Sequence, residues 1–398
     1  MKILLIELET KGHHITSYLK SIINNLQKNN HQIFLLTTLP ETEQIMDFKN
    51  KVKIFYIKKY KSIDSNNYFD LFFIQFYNYF IVKKKFKELL KKYKFESVYL
   101  NNIDHFDKVL SIFGSPFCKF SFYGLFLNPK ISHNKKFNIY NFIKISIYKY
   151  LFNRILNIKT LKKVFIVNPL CLKQISKSRL KKIKLLNEIG TFSYKNKIFL
   201  TKNNCKKFLN IKKTSFVILV YGVIREEKEL IYLINVIKKY YYNYNVKIVI
   251  AGQQDDYTKK ILRENIYNDI IKKKFLIINK YINERLEQIL FKSSDLVWPG
   301  YSKNFNGSSG VYFLSSMNKI PVITSNHGLI YWYNKKYRIG KSTDLRAPNK
   351  VKKVINYYIK NKGMNLNNEF KRVNNIHNSE NFSKQVGNYL TNDQYTIE

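Results

Sequence analysis

What most constrains this chain is a rhythm that runs twice. Short apolar runs of strand length alternate with stretches of helical period, the alternation lapses, and then it starts again. Residues 2–7 read as a buried strand, followed by a polar loop with Gly12 and a helical period through Tyr18, Leu19, Ile22, Ile23 and Leu26. Residues 32–37, 53–57, 97–100, 117–121 and 164–167 continue the strands. Strands separated by helices predict a parallel sheet, because parallel neighbours need a crossover and the crossover helices cover both faces. Between residues 173 and 213 the pattern fades into a Lys- and Asn-rich passage broken by Gly190, which predicts a domain boundary. It resumes with strands at 216–221, 246–251, 275–278, 296–298 and 321–324, and helices at 230–241, 257–268, 284–292 and 311–318. The predicted fold class is therefore α/β, with two doubly wound Rossmann-like domains in succession. Ligands of such sheets bind beyond the carboxyl ends of the strands.

Composition narrows the function only in part. Lys and Arg number 70 against 27 Asp and Glu, a formal net charge of +43, which points to nucleic acid, anionic lipid or another polyanion. Lys, Asn, Ile, Tyr and Phe are over-used together, however, and these residues share A- and T-rich codons. Genome composition thus supplies much of the charge, and the remainder favours an acidic partner. Cys118, Cys171 and Cys205 are far apart and lack metal-ligand spacing, so they read as reduced thiols in a cytoplasmic protein. The opening MKILLIELE meets Glu7 and Glu9 at once and reads as a first strand, not a signal peptide. The longest apolar stretch, residues 68–82, is interrupted by Asp70, Gln75 and Asn78 and predicts no transmembrane span.

Two segments of the second half carry the chemistry. In FVILVYGVIREEKELIYL a buried strand stops at Gly222 and a helix follows, so the first helical N–H groups and the helix dipole form an anion site. Arg225 and Lys228 add a planar fork and a point charge at the same spot. The plainer alternative is a loop whose basic residues pair with Glu226 and Glu227. In DLVWPGYSKNFNGSSGVYFLSSMNKIPVITSNHG, Ser308, Ser309 and Gly310 stand at the start of a second helix, either as another anion cradle or as a simple N-cap. GxGxxG, GxxxxGK[ST], HExxH and GxSxG are all missing, which removes support for dinucleotide oxidoreductases, P-loop enzymes, zincins and serine hydrolases.

The sequence GVIREEK with its strand, then VKIVIAGQ, then SSDLVWPGY, SSGV and KIPVITSNHG, resembles the donor half of a GT-B glycosyltransferase of family 4, group 1. IELETKGHHITSYL resembles the family's opening loop, and HNSENFSKQVGNYL its tail helix. The resemblance implies GT-B architecture: an acceptor-side domain over 1–205, a donor domain over 206–370, and a tail over 371–398 crossing back to the first domain, with the two domains facing across a cleft. It implies a retaining transfer of sugar from a nucleotide-sugar donor to a saccharide or lipid-linked acceptor, in cell-surface polysaccharide or glycolipid synthesis. Gly222, Arg225, Lys228, Tyr281, Ser308, Ser309 and Gly310 become the donor-binding residues. No cofactor and no metal are implied, since fixed positive groups serve the leaving diphosphate. Two departures stand out: Asn306 and Leu314 fall where many members carry glutamates, and Glu229 falls where a glycine usually follows the lysine.

In the first domain Gly12, His13 and His14 occupy the first strand-to-helix loop, and Asp104 and His105 follow the strand at 97–100. His13 and His105 are the expected catalytic residues, and Gly12, His14 and Asp104 the acceptor-side ones. A loop histidine that only hydrogen-bonds the backbone is the duller account of each. The aromatic and basic stretch at 137–156 offers a third partner, an anionic membrane surface, beside the alternative of a buried helix with one basic edge. A polyanion- or nucleic-acid-binding α/β protein remains a competing function, though no nucleic-acid motif is present and none is expected to bind. A catalytically silent member of the family is the other.

Overall fold

The structure is a computed structural model of the chain. It describes all residues except 13, 40–41, 59–67, 128, 133–138, 191–193, 195–196, 267–268, 304, 306 and 392–398. Two compact units emerge, one of residues 1–189 with 378–398 and one of residues 190–377.

The first unit is built on a seven-stranded parallel sheet: β1 (Lys2–Ile6), β2 (Gln32–Leu39), β3 (Lys53–Lys58), β4 (Ser97–Leu100), β5 (Phe122–Phe126), β6 (Leu161–Ile166) and β7 (Ile183–Leu185). Their spatial order is β3-β2-β1-β4-β5-β6-β7. Because successive side chains of a strand point to opposite faces, β1 divides its apolar residues between two cores. Leu4 and Ile6 join Phe34, Val98 and Leu100 on one face, while Ile3 and Leu5 join Ile33, Leu35 and Tyr99 on the other. The second of these cores also takes Ile22, Ile23 and Leu26 from the helix Lys20–Lys28, and Phe382, Val386 and Leu390 from the helix Ser379–Thr391. Those two helices approach so closely that a Cβ on Gly387 would stand 2.4 Å from Asn25 Oδ1. The chain's last helix is thus part of the first unit.

The second unit has a six-stranded parallel sheet: β8 (Phe216–Tyr221), β9 (Val246–Ala251), β10 (Phe275–Ile278), β11 (Leu296–Val297), β12 (Val322–Ser325) and β13 (Gly340–Thr343), in the order β10-β9-β8-β11-β12-β13. In each sheet the winding reverses once, between β1 and β4 in the first and between β8 and β11 in the second. Loops leaving adjacent strands at such a point diverge and leave a crevice for a ligand.

One expected strand is displaced. Residues 117–121 form a turn, with Cys118 in the left-handed region (φ 55°), and the strand begins only at Phe122, where it pairs with Val98 of β4 and Leu161 of β6. Two short strands were not anticipated, β7 inside the Lys-rich passage and β13, whose sequence is Gly-Lys-Ser-Thr.

Candidate functional site

The reversal in the second sheet brings the loops after β8 and β11 side by side, and Gly222, Lys228 and Ser309 of the expected donor residues meet there. After Gly222 (φ 88°) the chain makes a single 3-10 turn at Glu226–Lys228, passes a left-handed Glu229, and only then enters the helix Leu230–Tyr240. This path returns the Lys228 side chain toward the strand end. Its Nζ donates to the Tyr221 carbonyl at 2.7 Å and to the Tyr301 hydroxyl at 3.2 Å, and the residue is only 5% exposed. The Tyr301 hydroxyl in turn meets Ser309 Oγ at 3.1 Å, and Trp298 Nε1 donates to the Lys228 carbonyl at 3.1 Å. A Cβ at Gly222 would lie 3.8 Å from Lys228 Nζ and 3.7 Å from Val311. Gly222, Lys228, Tyr301, Ser309 and Val311 therefore form one group.

Two contacts that the plainer alternatives call for are not made among the described residues. Among the described residues neither Arg225 nor Lys228 makes an ion pair with Glu226 or Glu227, and Arg225 extends into solvent. Nor does Ser309 cap the helix Gly310–Met317, since its side chain accepts no backbone N–H there and is turned to Tyr301. The helix N-terminus is left without a side-chain cap from Ser309, with open space where a Gly310 Cβ would stand and Ser308 half-buried just ahead of it. A buried ammonium whose partners are a carbonyl and a hydroxyl, beside a helix end that carries partial positive charge, is suited to hold an anion.

Around this group the packing is specific. Phe305 stacks on Tyr301 with ring centroids 3.8 Å apart, and a His327 ring nitrogen lies 3.0 Å from the Tyr301 carbonyl. Glu229, only 5% exposed, receives Arg346 Nε at 3.1 Å and Nη2 at 2.9 Å on one carboxylate oxygen. Its left-handed backbone (φ 49°, ψ 36°) is the conformation a glycine adopts without strain, which explains why the related motif has glycine there. Tyr281, 79% exposed beyond β10, makes no hydrogen bond to this group among the described residues; the Tyr221 hydroxyl donates to the Glu287 carboxylate. Burial, then the Glu287 charge, pushes the Tyr221 phenol far up. Leu314 is buried in the helix Gly310–Met317, and Asn306 lies outside the described residues.

In the first unit, Ile6 of β1 pairs with Leu100 of β4, so the loops after both strands start side by side. Glu7 is buried there and accepts from Asn101 Nδ2 at 2.6 Å and from the Glu9 N–H at 2.9 Å. Burial pushes its carboxyl up to about 7. A Glu9 carboxylate oxygen lies 3.7 Å from His105 Nε2, which also meets Asn102 Nδ2 at 3.2 Å. Asp104 Oδ2 accepts the Leu127 N–H at 2.9 Å and braces the segment after β5. The Gly12 carbonyl accepts the N–H groups of Ile15 and Thr16 at 3.1 Å each, opening the helical turn His14–Leu19. His14 stacks on Tyr18 (6.3 Å between centroids), and burial holds its imidazole below the usual range against the opposing pull of Glu9. His13 lies outside the described residues. Sequence reasoning missed Glu7, Tyr301, Trp298 and Arg346 as site residues. Only Tyr301 and Trp298 carried a signal, their place inside the quoted WPGY loop.

Cys118 is exposed, Cys171 and Cys205 are buried, and none of the three is in a disulfide. Among the described residues no group of three or more His, Cys, Asp or Glu could hold a metal ion, and no helix is long and apolar enough to cross a membrane.

The second unit coincides with a known domain: residues 201–375 match the family model for glycosyl transferases group 1. Residues 201–375 are thus a group 1 glycosyl transferase domain, and the protein is a glycosyltransferase. Over its whole length the fold is that of GT-B enzymes. It is similar to sucrose-phosphate synthase from Thermosynechococcus elongatus (13% identity, 98% of each chain, TM-score 0.69). It is similar as well to HepE of Anabaena, solved with UDP and glucose (13% identity, 98% of this chain and 99% of that one, TM-score 0.65). WaaG, a glycosyltransferase involved in lipopolysaccharide biosynthesis, is a third such structure (12% identity, 98% and 99%, TM-score 0.66). No curated protein matches the chain in sequence.

Proposed function

We propose that the protein transfers a sugar, with retention, from a nucleoside-diphosphate sugar to a saccharide or lipid-linked acceptor, in cell-surface polysaccharide or glycolipid synthesis. The observation that carries this reading is Lys228, a buried ammonium with no carboxylate partner among the described residues, set beside the N-terminus of the helix Gly310–Met317. When the sugar–phosphate bond breaks, negative charge grows on the departing diphosphate. Lys228, the exposed Arg225 and the N–H groups following Ser309 are fixed donors for that charge, with Gly222 and Ser308 shaping the pocket, so no divalent cation is required. HepE binds UDP in its solved complex, which supports a uridine diphosphate donor. In the first unit His105, held by Glu9 and Asn102, is the proposed proton-handling group of the acceptor side, with His13 in the preceding loop, while Gly12 and His14 shape the acceptor loop. The enzyme works in the cytoplasm at the inner face of the membrane, where a lipid-linked acceptor is presented.

A thermal-shift screen of nucleoside diphosphates and nucleotide sugars tests the reading, because a ligand that binds only the folded protein raises its unfolding temperature. A salt-tolerant rise with a nucleoside diphosphate is expected. A response to every polyanion that vanishes at high salt would favour the competing polyanion-binding function.

A further inference from the structure

The first unit carries an apolar surface that its fold does not use. On the helix Tyr68–Leu90 the inward side chains Ile74, Tyr79, Val82, Phe86 and Leu89 are buried, whereas Phe73 (62% exposed), Phe76, Tyr77 and Phe80 face outward at helical spacing. Phe113, at the end of the helix Asp107–Phe113, extends this stripe. Its ring lies 5.6 Å from that of Phe76 and 6.0 Å from that of Phe80, its carbonyl accepts from Tyr79, and Ile112 beside it is exposed. Arg154 Nε then donates to the Ser111 carbonyl at 2.8 Å and joins the helix Ile139–Leu156, whose Phe142 (62% exposed), Ile143, Ile147 and Tyr150 form a second outward stripe. Three helices linked by direct contacts thus expose ten large apolar side chains. Soluble monomers rarely leave so continuous a patch uncovered.

Charge selects what covers it. The three helices carry eight Lys and Arg against three acids, and of those acids Glu88 is paired with Lys85 and Asp107 accepts from Gln75. Beyond Phe80 the outward face of the long helix continues into exposed Lys84 and Lys87, and Lys83 Nζ lies 5.9 Å from the rings of both Tyr79 and Phe80. A second copy of the chain would set like charge against like charge on this face. An anionic bilayer does the opposite: aromatic ridges enter the headgroup region while the lysines reach the phosphates. We propose that the face formed by these three helices docks on an anionic lipid bilayer, through Phe73, Phe76, Phe80, Phe113, Phe142 and Ile147 with a basic border. The proposal rests on the preceding reading only for the place of work, since the donor group belongs to the other unit.

The test is flotation of the full chain with vesicles of phosphatidylcholine alone and of phosphatidylcholine mixed with phosphatidylglycerol. Two double variants go with it, Phe73→Ser/Phe142→Ser and Lys84→Glu/Lys87→Glu, all at exposed positions. Wild type is expected to float with the anionic vesicles only and to be released by high salt, and each variant to lose roughly tenfold or more of its binding. The thermal response to UDP should be unchanged in both variants, which shows that they fold. Equal binding to neutral vesicles, no binding, or variants that float like wild type would overturn the proposal. A solution dimer abolished by Phe73→Ser/Phe142→Ser would overturn it too, by assigning the face to a second copy. Membrane binding without any UDP response would sink the donor reading and leave this surface standing.

Discussion

Glu7 should make the stability of this protein fall as pH rises through neutrality. Burial at the end of β1 is the main cause of its raised carboxyl; Glu9 adds to it, and the hydrogen bonds from the Glu9 N–H and Asn101 oppose it. In the unfolded chain the carboxyl titrates near 4.5, and in the folded protein at about 7. Below 4.5 both states hold the proton, so Glu7 imposes no penalty there. Between the two values the unfolded chain sheds its proton while the folded protein keeps it, and stability drops steadily. Above 7 the folded state carries the full cost of an ionised buried carboxylate, about 3 kcal/mol for a gap of this size. Glu7→Gln removes the titration while its carbonyl still accepts the Glu9 N–H. The new amide is accommodated by rotating Asn101, whose buried Oδ1 has no partner among the described residues. Thermal unfolding of both proteins across roughly pH 5 to 8 reads the effect. The variant should gain on wild type as pH rises, by on the order of 6–12 °C for a unit of this size. Parallel curves would refute the argument.

Three further outcomes follow from the site. Arg346→Ala leaves the nearly buried Glu229 carboxylate without its guanidinium and should cost roughly 1–2 kcal/mol in urea unfolding, less than a fully buried pair because Arg346 is half exposed. Adding Glu229→Gly should restore near wild-type stability, since glycine accepts the left-handed backbone and gains about 1 kcal/mol; simple additivity of the two losses would contradict this. Tyr301→Phe removes the hydroxyl between Lys228 and Ser309 and should weaken UDP binding by about 1 kcal/mol, roughly fivefold by calorimetry, with no change in the far-UV spectrum. His105→Ala should lower turnover more than donor affinity, and equal losses in both would remove it from the acceptor chemistry.

Much of the architecture is legible in the sequence because parallel strands buried on both faces read as unbroken apolar runs. Phe216–Tyr221 and Val246–Ala251 are of that kind, and each occupies the place its run predicts. The segment from Phe117 to Phe126 carries aromatic residues at both of its ends, so composition alone cannot say where pairing starts; the left-handed Cys118 lies in the turn that precedes the strand. β13 carries no apolar signal. Its place is set by tertiary contact, with Gly340 so close to β12 that a Cβ would stand 2.0 Å from the Val322 carbonyl oxygen. In the group around Lys228, the positions of Gly222, Lys228 and Ser309 were legible because strand ends and helix starts are local features. Glu7 with Asn101 and Glu229 with Arg346 were not, because each pair spans about a hundred residues or more and is joined only by the winding of a sheet.

The central claim is that Lys228 and Arg225 hold a nucleoside diphosphate at the reversal point of the second sheet. Titration calorimetry of UDP into wild type, Arg225→Ala and Lys228→Met tests it most directly, with the methionine keeping the buried stem and removing the charge. Each substitution is expected to weaken binding by about 1.5–3 kcal/mol, the usual worth of a charge-assisted contact, while the unfolding temperature without ligand stays near that of wild type. Equal UDP affinity in all three proteins would contradict the account.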